Sequence, residues 1–205
     1  LLMDVTMKKT ELLLLFIFTL LSAVYSKLYS QQPIRIVCVG NSITEGFGNT
    51  SEEAAWPAQA NKLLGNRYAF SNCAVSGTTM FKNSNAPYWK TERYAKAKSL
   101  NPQILIIALG TNDADPWRWN SLKNEFKSDY LDMVKEFRQG GKDPIIYVCL
   151  PPPLFGPQKA AQNTVVENEL IPLNQGNSRR DRSIHYRLPS TLINANKQFP
   201  DNVHP

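Results

Sequence analysis

The sequence predicts an α/β domain: a three-layer α/β/α sandwich around a parallel sheet. Three observations carry that prediction. Apart from Arg35, the runs Ile34–Val39, Ile104–Leu109 and Ile145–Leu150 carry no charge and are apolar at consecutive, not alternate, positions, the pattern of strands covered on both faces. Helix-like stretches stand between them, and strands alternating with helices argue for crossover connections and parallel pairing. Each run meets a stop: Gly40, Gly110, or the triplet Pro151-Pro152-Pro153.

The elements follow in order. Ile34–Val39 is the first strand. Residues Glu52–Leu64 read as a helix, with Ala54, Ala55, Ala60, Leu63 and Leu64 as apolar positions, Pro57 near the first turn and Gly65 as the stop. Tyr68–Asn72 is a short second strand. Residues 77 to 90 read as a loop rich in Gly, Ser, Asn and Pro, and Thr91–Ser99 as a helix. After Ile104–Leu109 comes a helix over Leu122–Arg138, set by Leu122, Phe126, Tyr130, Met133, Val134 and Phe137 and ended by Gly140-Gly141. Ile145–Leu150 is the last clear strand, and residues 161 to 171 are weakly helical.

The N-terminal segment stands apart. Lys8 and Lys9 precede the apolar run Leu12–Leu21, with Val24 and Ser26 placed for cleavage after Ser26. A basic start, a short apolar stretch and a small-residue exit predict a secretory signal peptide over residues 1–26, and hence a secreted or periplasmic protein. The run is well short of the ~20 residues that span a bilayer, so no stable membrane insertion is expected. Residues 27–205 are long enough to bury a sizeable core.

The net charge of +6 comes from 23 Lys and Arg against 17 Asp and Glu. Four arginines fall within residues 179–187, without the interleaved aromatics of a base-stacking surface, so no nucleic-acid partner is expected. Cys38, Cys73 and Cys149 are odd in number and lack metal-ligand spacing. They read as free thiols acting as small hydrophobes, a Cys38–Cys73 disulfide being the weaker reading. Asp113 and Asp115 read as solvated turn carboxylates, and neither a metal nor a cofactor is expected.

In a parallel α/β sheet, sites lie at the carboxyl ends of the strands, and reactive residue types cluster there. Gly40-Asn-Ser-Ile-Thr-Glu-Gly46 follows the first strand, Ser76-Gly77-Thr78-Thr79 the second, and Gly110-Thr-Asn-Asp113 the third. Asp201-Asn-Val-His204 stands near the end. Taken singly, Ser42 reads as a helix cap and Asn112 as a turn residue. His204 is one of only two histidines; the other, His185, has no acid three residues before it.

Together these blocks, in this order from about Ile34 onward, resemble the SGNH (GDSL-like) hydrolase family. The resemblance implies a flavodoxin-like sandwich and a serine esterase. Ser42 is then the nucleophile, His204 its base and Asp201 the acid orienting the imidazole. The backbone N–H groups of Ser42 and Gly77 and the side-chain amide of Asn112 form the oxyanion hole. Glycine suits position 77 because a side chain would obstruct an amide aimed at substrate.

The match has departures. Asn41 replaces the usual Asp of the first block, a change expected to tune activity, not abolish it. Residues 174–190 contain neither the amphipathic helix nor the final apolar strand the family pattern calls for. A reading-frame shift across that stretch is one hypothesis, tested by resequencing the gene, and a diverged insertion is the other. A closing helix is expected after the histidine block, whereas the sequence stops at Pro205, which reads as truncation.

The blocks resemble most those of bacterial carbohydrate O-acetylesterases, including sialate O-acetylesterase-like proteins. The expected substrate is an O-acetylated sugar or glycan, with Trp56, Tyr88, Trp89, Trp117 and Trp119 as a stacking rim or, equally, as packing under the loops. A lysophospholipase or thioesterase, which needs an apolar acyl groove, and a non-catalytic glycan-binding relative remain as alternatives.

Overall fold

The computed structural model describes residues 8–28, 32–141, 143–173 and 184–186. It divides into two units, residues up to Pro33 and residues from Ile34 onward. The first unit holds helix α1, Lys9–Leu28. Among the described residues no helix is long and apolar enough to cross a membrane.

The second unit is built on five parallel strands: β1 Ile34–Gly40, β2 Tyr68–Asn72, β3 Ile104–Ala108, β4 Ile145–Cys149 and β5 Ile184–Tyr186, in the order β2-β1-β3-β4-β5. This is the flavodoxin-like order, in which the chain first steps outward from β1 to β2 and then turns back past β1 to β3. Helices α2 Ser42–Glu45 and α3 Trp56–Leu64 lie between β1 and β2 in sequence. Helices α4 Glu92–Ser99, α5 Pro116–Phe137 and α6 Ala160–Val165 follow β2, β3 and β4. Parallel crossovers are right-handed, so α3 packs on one face of the sheet and α4, α5 and α6 on the other.

The two faces differ. Leu105, Ile107, Ile146 and Val148 are buried in one cluster with Ala97 of α4, Phe126, Tyr130, Met133, Val134 and Phe137 of α5, and Val165 of α6. On the opposite face Ile36 and Cys38 are buried, but Ile104, Ile106 and Tyr147 are only half-buried and Ile145 is 51% exposed. Among the described residues, both faces of β1 are covered from Ile36 to Gly40, and the second face of β3 and β4 is partly covered. Among the described residues three helices serve one face and α3 serves the other.

Other boundaries shift for local reasons. Helix α5 starts six residues before Leu122, because Asp115 caps it by accepting from the Trp117 N–H (3.3 Å) and Pro116 presets its first turn. The Glu52–Leu64 helix divides at Ala55, whose backbone is extended, leaving a 3₁₀ turn over Glu52–Ala54 before α3. Thr91 caps α4 through its hydroxyl, which accepts from the Tyr94 N–H. A π-helical turn, Val166–Leu170, continues α6. The reading of residues 174–190 as strandless is corrected by β5, which pairs Ile184, His185 and Tyr186 with Tyr147, Val148 and Cys149. All three cysteines are free thiols; Cys38 and Cys73 are buried and Cys149 is half-buried. Burial pushes the pKa of Cys149 up to about 11 and raises that of Cys38 further.

Candidate active site

Three of the four sequence blocks stand at the carboxyl ends of β1, β2 and β3, around the point where the strand order reverses. The first block makes a tight turn. Asn41 is buried, and its Oδ1 accepts from the Ile43 N–H (3.1 Å), which caps α2 directly beneath Ser42. Gly46 closes that helix at φ +93°, and the N–H groups of Gly46 and Phe47 both donate to the Ser42 carbonyl (2.9 and 3.0 Å). A side chain at Gly40 would collide with Thr44, its Cβ falling 2.4 Å from Thr44 Oγ1. Glycine there is what lets the strand run straight into the serine turn. The usual Asp at position 41 would bring two acceptor oxygens. Asn41 brings one oxygen and one amide, and among the described residues the buried Nδ2 meets no hydrogen-bond partner.

The second block is tied to the first by several bonds. The Val75 N–H donates to the Gly40 carbonyl (3.0 Å), and Asn72 Nδ2 donates to the Thr44 carbonyl (2.8 Å). Glu45, three residues past Ser42, accepts from the Ser76 N–H (2.9 Å) and from the Ser76 hydroxyl. This carboxylate, on the helix that carries Ser42, therefore sets the position of the residue before Gly77. Gly77 adopts φ +77°, and a Cβ built on it meets nothing within 4 Å. Glycine at 77 also has a conformational reason: the backbone sits where L-residues are strained. Among the described residues the Gly77 N–H meets no acceptor.

The third block grips the same loop. Asn112 Nδ2 donates to the Thr78 carbonyl (2.9 Å), which places the amide beside Gly77 and leaves its second proton for another acceptor. Asp113 is fully buried and is not the solvated carboxylate expected; its oxygens accept from the Met80 (3.0 Å) and Phe81 (2.9 Å) N–H groups. Burial raises its pKa to about 6, against the lowering effect of those bonds and of nearby Arg118. Arg118 Nη1 donates to the Asn112 carbonyl and Nη2 to Asn85 Oδ1 (3.2 Å). Consecutive residues 112 and 113 thus hold residues 78, 80 and 81.

Asp201 and His204 lie outside the described residues. Of the aromatic candidates, Tyr88 and Trp119 are buried. Tyr88 donates its hydroxyl to the Cys73 carbonyl (2.6 Å), and Trp119 donates Nε1 to Glu169 (2.9 Å). Tyr88 is therefore corrected from a substrate contact to a packing residue. Trp89 is half-buried against the core and donates to the Met80 carbonyl (2.7 Å). Trp117 is 60% exposed, and half-buried Trp56 lines a pocket that Ser42 also lines. Glu45, Asp113 and Arg118 were not singled out as site residues. Glu45 and Asp113 had a signal, their places inside the first and third blocks, and Arg118 had none.

A parallel sheet of this order, with a serine turn after β1 and a glycine loop and an asparagine at the two neighbouring strand ends, defines a hydrolase-type α/β sandwich. The chain belongs to the GDSL-like Lipase/Acylhydrolase family, whose model matches residues 38–202. It is 31% identical over 194 residues to an acetylxylan esterase of Xylanibacter ruminicola, a match covering 85% of this chain and 40% of that protein. The chain thus spans well under half the length of that relative. Solved structures share the fold. The native aryl esterase of M. smegmatis superposes with a TM-score of 0.64 at 17% identity, over 83% of this chain and 89% of that one. Est24, a carbohydrate acetylesterase from Sinorhizobium meliloti, superposes at 0.60 and 20% identity, over 83% and 89%.

Proposed function

We propose that this protein is a serine esterase that removes O-acetyl groups from carbohydrates. Ser42 attacks the ester carbonyl while His204 takes its proton, and Asp201 holds the imidazole in the required tautomer. The N–H groups of Ser42 and Gly77 and the Asn112 amide stabilise the tetrahedral oxyanion. The alcohol leaves with the proton from His204, and water hydrolyses the acetyl-Ser42 ester by the same steps in reverse.

One observation carries this reading: Asn112 is bonded across to Thr78, so the two candidate donors, which follow different strands, lie at one rim beside β1, the strand that leads into the Ser42 turn. Carbohydrate acetates are favoured by the acetylxylan esterase relative. The test is turnover of p-nitrophenyl acetate and of acetylated sugars by the parent and Ser42→Ala. The parent is expected to be active, with short acyl groups preferred, and the variant inert. Equal rates would leave only binding.

The reading extends to export. Residues 1–26 act as the leader, so protein recovered from the periplasm or medium should begin at Lys27 on N-terminal sequencing. A cytosolic protein still carrying the Leu12–Leu21 segment would contradict it.

A further inference from the structure

We propose that Arg118 is a positioning residue of the esterase: its guanidinium holds the Asn112 backbone, so that the Asn112 amide stays aimed at the ester oxygen, and ties it to the loop that carries Gly77. This rests on the esterase reading above. Asn112 is gripped at both ends. Its Nδ2 donates to the Thr78 carbonyl (2.9 Å), and its own carbonyl accepts from Arg118 Nη1. The other donor to that carbonyl, the Asp115 N–H, is long at 3.4 Å. Arg118 Nη2 reaches Asn85 Oδ1 (3.2 Å) in the 77–90 loop. The planar fork of one guanidinium therefore bridges the two segments that supply Asn112 and Gly77.

Stability gives no reason for an arginine at this position. Arg118 lies in the first turn of α5, where the positive end of the helix dipole disfavours a cation. That helix end is already capped by Asp115 and started by Pro116. Among the described residues no carboxylate forms a salt bridge with Arg118. Asp113, on whose carboxyl its charge acts, bonds the Met80 and Phe81 N–H groups instead. The buried Arg118 Nε–H meets no acceptor among the described residues. Buried donors are normally satisfied, and an exception asks for a role.

The role follows from what the fork holds. An oxyanion donor works only at its correct distance and direction, and a displacement of about 1 Å can cost roughly 10²-fold. The Thr78 bond orients the Asn112 amide, but the amide is only as well placed as the backbone that carries it. Arg118 fixes that backbone, and its Cζ lies over the Trp117 ring, 4.9 Å from the centroid, which steadies the fork in turn.

The test measures kcat and KM on p-nitrophenyl acetate for three variants: Arg118→Met, which keeps most of the stem and loses every donor, Arg118→Lys, and Arg118→Met combined with Asn112→Ala. Arg118→Met should lower kcat roughly 10- to 100-fold with KM within about twofold of the parent, and Tm should stay within about 3 °C. Arg118→Lys, whose single ammonium can reach the Asn112 carbonyl but not Asn85 as well, should recover part of that loss and remain about threefold or more below the parent. Beside Asn112→Ala, the methionine should cost less than about threefold more, because its effect passes through the missing amide. An unchanged kcat in Arg118→Met, or the same loss with and without Asn112, overturns the proposal. If Arg118→Met fails to fold, Arg118→Lys, alone and beside Asn112→Ala, decides by the same comparison. A parent without turnover overturns the esterase reading instead, and this inference with it.

Discussion

Replacing Asp113 by Asn changes almost no volume but removes one of two acceptors from a closed site. In the parent, one carboxylate oxygen accepts from Met80 N–H and the other from Phe81 N–H, with no solvent access. The amide keeps one acceptor and turns an NH₂ group toward the other backbone N–H. Loss of the charge is not itself the main cost. Burial outweighs the two bonds and Arg118, because the carboxyl titrates near 6 and not at its ordinary 3.8. The cost is the orphaned donor, about 2 kcal/mol within a usual range of roughly 1–3. For a domain of this size that lowers Tm by roughly 4–8 °C. The sign with pH follows from linkage. A carboxyl whose folded pKa is raised contributes most below its unfolded pKa and loses that contribution as pH rises through the folded value. The gap between parent and variant should be widest near pH 4, narrow through about pH 6 and be constant above. Thermal unfolding followed by circular dichroism at several pH values measures it. A Tm within about 1 °C of the parent at every pH would refute the assignment of Asp113 as the anchor of the 78–81 loop.

Asn112→Ala removes both the tie to Thr78 and a proposed oxyanion donor, so kcat on p-nitrophenyl acetate should fall by roughly 10²–10³ with little change in KM; a loss confined to KM would contradict that role. Phe126→Ala empties a buried site where the ring meets Phe81 edge-on at 5.6 Å and Trp119 at 5.4 Å. Denaturant unfolding should show a loss of about 3–5 kcal/mol, and a loss under 1 kcal/mol would mean that the α5 face is not the core.

Much of this fold was legible because its strands are written plainly. Ile34–Val39, Ile104–Leu109 and Ile145–Leu150 are β-branched or aliphatic runs with hard stops, and each became a strand to within a residue of its predicted end. β5 was not legible, since Ile184-His-Tyr186 offers one aliphatic residue amid arginines and is a strand only because β4 offers an edge. The blocks after β1, β2 and β3 were legible because topology sends strand ends to one rim. What holds those blocks in place was not. A buried carboxylate such as Asp113 and a solvated one look alike in sequence, and the Glu45 to Ser76 bond joins residues 31 apart. Tyr88 looked like a loop aromatic, but its ring is drawn inward by the Cys73 carbonyl and by Tyr94, whose ring packs edge-on at 6.0 Å.

The most direct trial of the whole account is covalent labelling with a fluorophosphonate, followed by peptide mapping in a mass spectrometer. One phosphonylated serine, Ser42, is predicted, with labelling lost in His204→Ala. An active esterase labelled at a different serine, or not labelled at all, would contradict the assignment of the β1 turn as the seat of the chemistry.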